Sequence, residues 1–202
     1  MLIYLGRDSI NSYSAFLHSL GPVLWIVRIV LIVALILHIY TSIMLKVRNL
    51  GAKPQKYAVR NYVKAKLTSR TMVWTGIMIF CFVIYHLMHF TVRTTNPGHY
   101  MQELFVPHNA VSDIVVQRLD VFQMIVLGFS NPLISIVYIV GVVLVGFHLN
   151  HAIQSMFQTL GFNQKNYFSC LEKTGTALSV VVALCLISIP VTVLLGLVGG
   201  GL

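Results

Sequence analysis

Acid is what this sequence has least of. Five Asp and Glu stand against fourteen Lys and Arg in 202 residues. Charged residues of both signs make up only 9%, where a soluble domain carries about 25%. Apolar residues reach 57%, and mean hydropathy is +0.82. Disorder, a soluble Rossmann-type enzyme and a nucleic-acid reader are excluded as first readings. Cysteine is scarce too. Cys81, Cys170 and Cys185 are scattered and form no C-x-x-C, so neither a disulfide scaffold, a zinc ribbon nor an iron–sulfur site within this chain is supported. Without C-x-x-C-H there is no covalent c-type haem, and without H-E-x-x-H no zinc protease. The amino terminus lacks the basic, apolar and small-residue order of a signal peptide.

What is present is long apolar runs. Four have the ~20 residues that a bilayer-crossing helix needs: about 21–45, 71–92, 132–158 and 175–198. Arg28 is the one charge inside them, apart from none at all in the second. The runs are continuously apolar rather than alternating, which favours helices over barrel strands. Asn131-Pro132 marks a turn and the start of the third span. Ile10, Tyr13, Leu17 and Leu20 recur at helical spacing, so residues 1–20 are expected to form an amphipathic segment on the outer interface. The expected fold is an all-α helical membrane bundle, a single domain over 1–202.

Loop charge gives an orientation. Lys46, Arg48, Lys53, Lys56, Arg60, Lys64, Lys66 and Arg70 follow the first span with no acid among them. Lys165 and Lys173 stand against Glu172 between the third and fourth. Arg93 and Arg118 face Glu103, Asp113 and Asp120 between the second and third. The positive-inside rule makes the first two loops cytoplasmic, and the third loop and both termini external. A bacterial-type cytoplasmic membrane is the expected location. The basic loop 46–70 is also expected to meet acidic lipid headgroups or a soluble partner.

Eight histidines are present, five of them within the spans: His38, His86, His89, His148 and His151. Ionisable side chains at that depth are costly and mark function. At 1.5 Å rise per residue, His38 lies about 12 Å and His148 about 15 Å from the inner end of their spans. His86 lies about 24 Å up the second span, in the outer half. The first and third spans thus carry a histidine pair at one level. With no carboxylate in the spans, two imidazoles facing across a gap suit a six-coordinate haem b better than zinc. Small residues around the pair, among them Ala34, Ser42, Gly141, Ala152 and Ser155, either leave room for a flat macrocycle or serve close helix packing. His89 and His151 share faces with His86 and His148. Each either bonds a haem propionate or a quinone oxygen, or acts as a packed interhelical donor. Arg28 either holds a propionate or quinone or snorkels to the outer interface. His18, His99 and His108 fall in the outer segments.

The segments YSAFLHSLGP (Tyr13–Pro22), LILHIYTSI around His38, VIYHLMHF around His86, FSNPL at Phe129–Leu133, and GFHLNHAIQSMFQTLGF from Gly146 together resemble one family. It is the cytochrome b membrane anchor of succinate dehydrogenase, in its b558 branch, related to fumarate reductase anchors. The likeness runs along nearly the whole chain. It implies a subunit of respiratory complex II, working with a flavoprotein and an iron–sulfur subunit and with membrane quinone. It implies one haem b held by His38 and His148, and a second held by His86 together with a histidine on a helix preceding the first span. The family has five spans. This sequence carries four, and begins where the family's first external loop stands. The chain itself holds no flavin or dicarboxylate motif, so the expected role is electron transfer rather than succinate chemistry. Two other classes compete. One is the cytochrome b subunit of a formate dehydrogenase or hydrogenase, against which the histidine order and the FSNPL and FQTLGF stretches speak. The other is a histidine-lined transporter, which would be expected to show intramembrane acids and broken helices.

Overall fold

The computed structural model describes residues 1–52, 71–105, 116–162 and 165–200. The chain divides into two units: Tyr13–Lys64, and Met1–Ser12 together with Ala65–Leu202. Helix α1 (Arg7–Ser19) begins in the second unit and ends in the first.

The Tyr13–Lys64 unit is dominated by α2 (Pro22–Gly51). Pro22 at its first turn has no N–H to leave unpaired, and its fixed φ suits a helix start. The helix runs six residues past the expected apolar end at 45, because Lys46, Val47, Arg48, Asn49 and Leu50 contain no breaker. None of its residues is buried. Lys46 and Arg48 are exposed on its last turns, and the other six basic residues of the 46–70 loop lie outside the described residues.

The larger unit contains α3 (Met72–His86), which continues into a wider π-turn at Leu87–Thr91. A two-stranded antiparallel hairpin follows, β1 (Gln102–Phe105) on β2 (Val116–Leu119), with Glu103 opposite Arg118. Composition did not announce these strands. Then come α4 (Val121–Ser130), α5 (Pro132–Thr159) and α6 (Lys165–Leu194). At ten residues, α4 is about 15 Å long, too short to cross a bilayer. Asp120 caps it by accepting from the Gln123 N–H at 3.0 Å. Asn131 caps α5 in the same way, accepting from Leu133 N–H (2.9 Å) and Ile134 N–H (3.4 Å), with Pro132 as the first helical residue. Helix α6 starts ten residues before the expected boundary at 175, since the polar residues ahead of it are compatible with helix. It ends in glycine-rich turns in which Gly196 and Gly199 take φ of 69° and 79°, values that favour glycine.

Among the described residues four helices, α2, α3 with its π-turn, α5 and α6, are long and apolar enough to cross a membrane. The chain has the make-up of a multi-pass, all-helical membrane protein. In the larger unit α5 packs on α6 and on α3. Its core gathers Val126, Phe129, Ile134, Tyr138 and Val193.

The amino-terminal residues join this unit through polar bonds. Asn11, fully buried, donates from Nδ2 to Glu103 Oε1 (2.8 Å) and Asp120 Oδ1 (2.9 Å) and accepts from the Phe122 N–H (2.9 Å). Arg7 pairs with Glu103 (2.9 Å) and with Asp120. Arg118 pairs with Asp8 (2.7 Å) and Glu103 (2.5 Å). Most of the few acids in the sequence are spent here. Burial works against the Asp120 carboxylate, but bonds from Asn11, Gln123 N–H and Arg7 outweigh it and hold its pKa below the usual range. Burial likewise opposes the Arg118 charge, and its bonds to Asp8 and Glu103 reverse the effect and raise its pKa.

Candidate functional site

Helices α3 and α5 run antiparallel, and their pairings fix which levels meet. Thr75 and Gly76 stand opposite His148, Phe82 opposite Gly141, and Tyr85 and His89 opposite Tyr138. Thr75, Phe82, His86 and His89 recur at spacings of seven, four and three, one stripe of the helix.

At the first level His148 is half-buried on α5. Its Nδ1 lies 3.2 Å from Thr75 Oγ1. Thr75 is buried and also donates back to the Met72 carbonyl at 3.0 Å. Gly76 lets the imidazole edge come close: a Cβ there would sit 3.5 Å from His148 Cε1. His151, one turn further on, is half-buried. Two residues beyond His148, Asn150 Oδ1 accepts from Gln154 Nε2 (2.7 Å) and Thr176 Oγ1 (3.1 Å), tying α5 to α6.

At the other level an aromatic cluster surrounds Tyr138, which is 5% exposed. Its ring meets Phe129, Phe82 and Phe90 edge-on at centroid distances of 4.9, 5.3 and 5.5 Å. His89 is fully buried, with Nδ1 3.0 Å from the Tyr138 hydroxyl and Nε2 3.5 Å from His99 Nδ1. Both ring nitrogens are thus taken up by protein groups. His89 lies within the π-turn, where Val92 N–H reaches back five residues to the Leu87 carbonyl at 2.7 Å. The helix ends at Thr91, so its last carbonyls need partners from outside it, and the Tyr100 hydroxyl donates to that of His89 at 2.6 Å. His99, in the loop, has its pKa lowered by burial. His86 is exposed on α3, its ring 5.8 Å from Phe90 and 5.9 Å from Tyr138. Between the two levels an apolar groove of about 380 Å³ opens between α3 and α5, lined by Met78, Cys81, Phe82, Tyr85, Val140 and Gly141 among others.

His38 and Arg28 belong to the other unit, on α2. Arg28 is half-buried and lies over the Trp25 ring, 5.0 Å from its centroid, one turn back on the same helix. His38 is exposed on that helix. His18 Nδ1 donates to the Ser14 carbonyl within α1 at 2.8 Å, and His108 lies outside the described residues. Among the described residues no three of His, Cys, Asp and Glu converge as a metal site.

Thr75, Tyr100 and Tyr138 were not singled out from sequence. The stripe spacing that joins Thr75 to His86 was available as a signal. Nothing in the sequence period reveals the π-turn in which His89 sits.

No family model matches the chain, and neither a curated protein nor a solved structure matches it.

Proposed function

We propose that the chain is a haem b-carrying membrane anchor of a succinate:quinone oxidoreductase, passing electrons between an iron–sulfur partner and membrane quinone. The observation that carries the reading is His148: a half-buried imidazole held by Thr75 against Gly76, on helices that bring no acid to its level. Helices α2, α3 and α5 each carry histidine and contain no Asp or Glu. An imidazole in that setting would suit a haem b, and a carboxylate-dependent metal site does not fit it. His148 would hold the haem, and the histidine pattern and the resemblance described above name His38 as the other residue that would hold it. Haem b bound there supplies one-electron transfer at a potential set by its ligands and their hydrogen bonds.

The protein's own residues do the rest of the work. Thr75 orients His148, and Gly76 makes room beside its ring. The apolar groove between α3 and α5 offers a lipophilic surface of the kind quinone requires. His86, Arg28 and the basic residues after the first span are assigned, on the same reading, to a second haem, a propionate or quinone, and the iron–sulfur partner.

The test is the chain purified from haem-replete cells. A low-spin b-type absorption spectrum is expected, lost in His148→Ala and in His38→Ala, with flavoprotein co-purifying from native membranes. Wild-type protein that carries no haem, or a spectrum unchanged in both variants, overturns the proposal.

A further inference from the structure

We infer that His89 and His99 form a pH-sensitive latch on the loop of residues 92–101. The loop stays against the buried Tyr138 cluster while the two rings carry at most one extra proton between them, and is released when both are charged. The latch needs no cofactor, and it stands or falls apart from the function proposed above.

His89 is fully buried and is reached from several elements at once. Its Nδ1 lies 3.0 Å from the Tyr138 hydroxyl of α5, and its Nε2 3.5 Å from His99 Nδ1 in the loop. Phe90 stacks on it at a centroid distance of 4.1 Å. Gly128 of α4 leaves it room, since a Cβ there would sit 3.2 Å from His89 Cε1. The Tyr100 hydroxyl fastens the loop at the same place, donating to the His89 carbonyl at 2.6 Å.

Two facing nitrogens can share one hydrogen. Either ring can donate it, because the Tyr138 hydroxyl can serve His89 Nδ1 as donor or as acceptor. Two neutral rings meet this condition, and so does a pair with one ring charged. With both rings charged, each facing nitrogen carries its own hydrogen. An N–H is about 1.0 Å long, so at 3.5 Å the two hydrogens would stand about 1.5 Å apart. They would also set two like charges together with His89 out of water, where repulsion is strongest.

The surroundings do not relieve that repulsion. Tyr85 and His86 on α3, Tyr138 on α5 and Tyr100 in the loop are the other titratable groups around the pair. None of them is an anion at neutral or weakly acidic pH. Asp120, at the head of α4, has its carboxylate bonded to Asn11, Arg7 and the Gln123 N–H. Burial lowers the His99 pKa, so the open loop takes up a proton more readily than the closed one. The closed form is therefore fully favoured above the ordinary histidine value of about 6.5, and loses ground as pH falls below it.

The test is hydrogen exchange of the full chain in detergent micelles from pH 7.5 to 5, each rate corrected for the intrinsic pH dependence of amide exchange. The amides to follow are Thr94, His99 and Tyr100, which bond the Met88, Asn96 and Pro97 carbonyls. Their protection should be level above about pH 6.5 and fall by about tenfold by pH 5, the scale that one linked imidazole gives. Amides of α5, α6 and Gln123 should keep theirs. His99→Gln still offers His89 a hydrogen-bonding side chain but takes no proton, so its loop should stay protected throughout; His18→Gln, on α1, should keep the wild-type fall. In ¹⁵N-histidine spectra of the wild type, His99 should titrate over the range in which the loop loses protection, its signal being assigned by its loss in His99→Gln. Level protection in the wild type, an unchanged fall in His99→Gln, or a His99 that titrates while the loop stays protected overturns the inference. Should His99→Gln leave the loop open at every pH, the wild-type comparison of the His99 titration with loop protection decides.

Discussion

Replacing Asn11 with Ala should release the amino-terminal residues from the larger unit while leaving its helices packed. Asn11 makes two bonds to carboxylates and one to the Phe122 N–H, all within 2.9 Å. A neutral bond contributes about 1 kcal/mol and a bond to a charged group about 1.5–3 kcal/mol. The sum overstates the loss, because Arg7 and Arg118 share the same carboxylates, and Arg7 is 44% exposed and partly screened. A net cost of about 3 kcal/mol is reasonable, which at about 1.4 kcal/mol per decade makes local opening roughly a hundredfold more frequent. Hydrogen exchange in detergent measures this at the amides of Phe122 and Gln123, which bond Asn11 and Asp120. Both should exchange roughly a hundredfold faster, while amides in α5 and α6 keep their rates. Exchange within about threefold of wild type would mean that Asn11 is redundant and that the Arg7 and Arg118 pairs hold the segment without it.

Two further outcomes follow from the same unit. Gly141→Ala would set a Cβ 2.5–2.7 Å from three ring atoms of Phe82, whose ring is itself held against Tyr138; a loss of about 1–3 kcal/mol is expected from overpacking, read as a lowered Tm and relieved by adding Phe82→Leu. The lowered pKa of Asp120 implies stability that is complete above the ordinary carboxylate value of about 3.9 and lost as pH falls through the lower folded value. Protection at Gln123 should therefore hold down to about pH 5 and fail only in stronger acid. Loss beginning near pH 6.5 would instead indicate His99, whose lowered pKa makes the folded state less stable as it protonates.

The four helices long and apolar enough to cross a membrane were legible because their cause is local: an unbroken apolar run of sufficient length needs no partner to be recognised. Asn131-Pro132 was legible for the same reason, since a capping side chain and an N1 proline act within one turn. The ten residues by which α6 precedes its expected start were not, because polar residues that form helix well leave no mark on hydropathy. The clamp at Asn11 was invisible for a different reason. Its partners come from positions 103, 120 and 122, more than ninety residues away, and the sequence shows only that acids are few. The histidines fall between these cases. Their depth follows from counting residues along a helix, but that counting sets His148 about ten residues up the second span, near Cys81, and the structure sets it lower, against Thr75 and Gly76. It places His89 on the stripe of Thr75 and Phe82, seven residues after Phe82, but not the wider turn at 87–91 in which His89 sits. The extra residue of that turn alters neither composition nor period enough to be read.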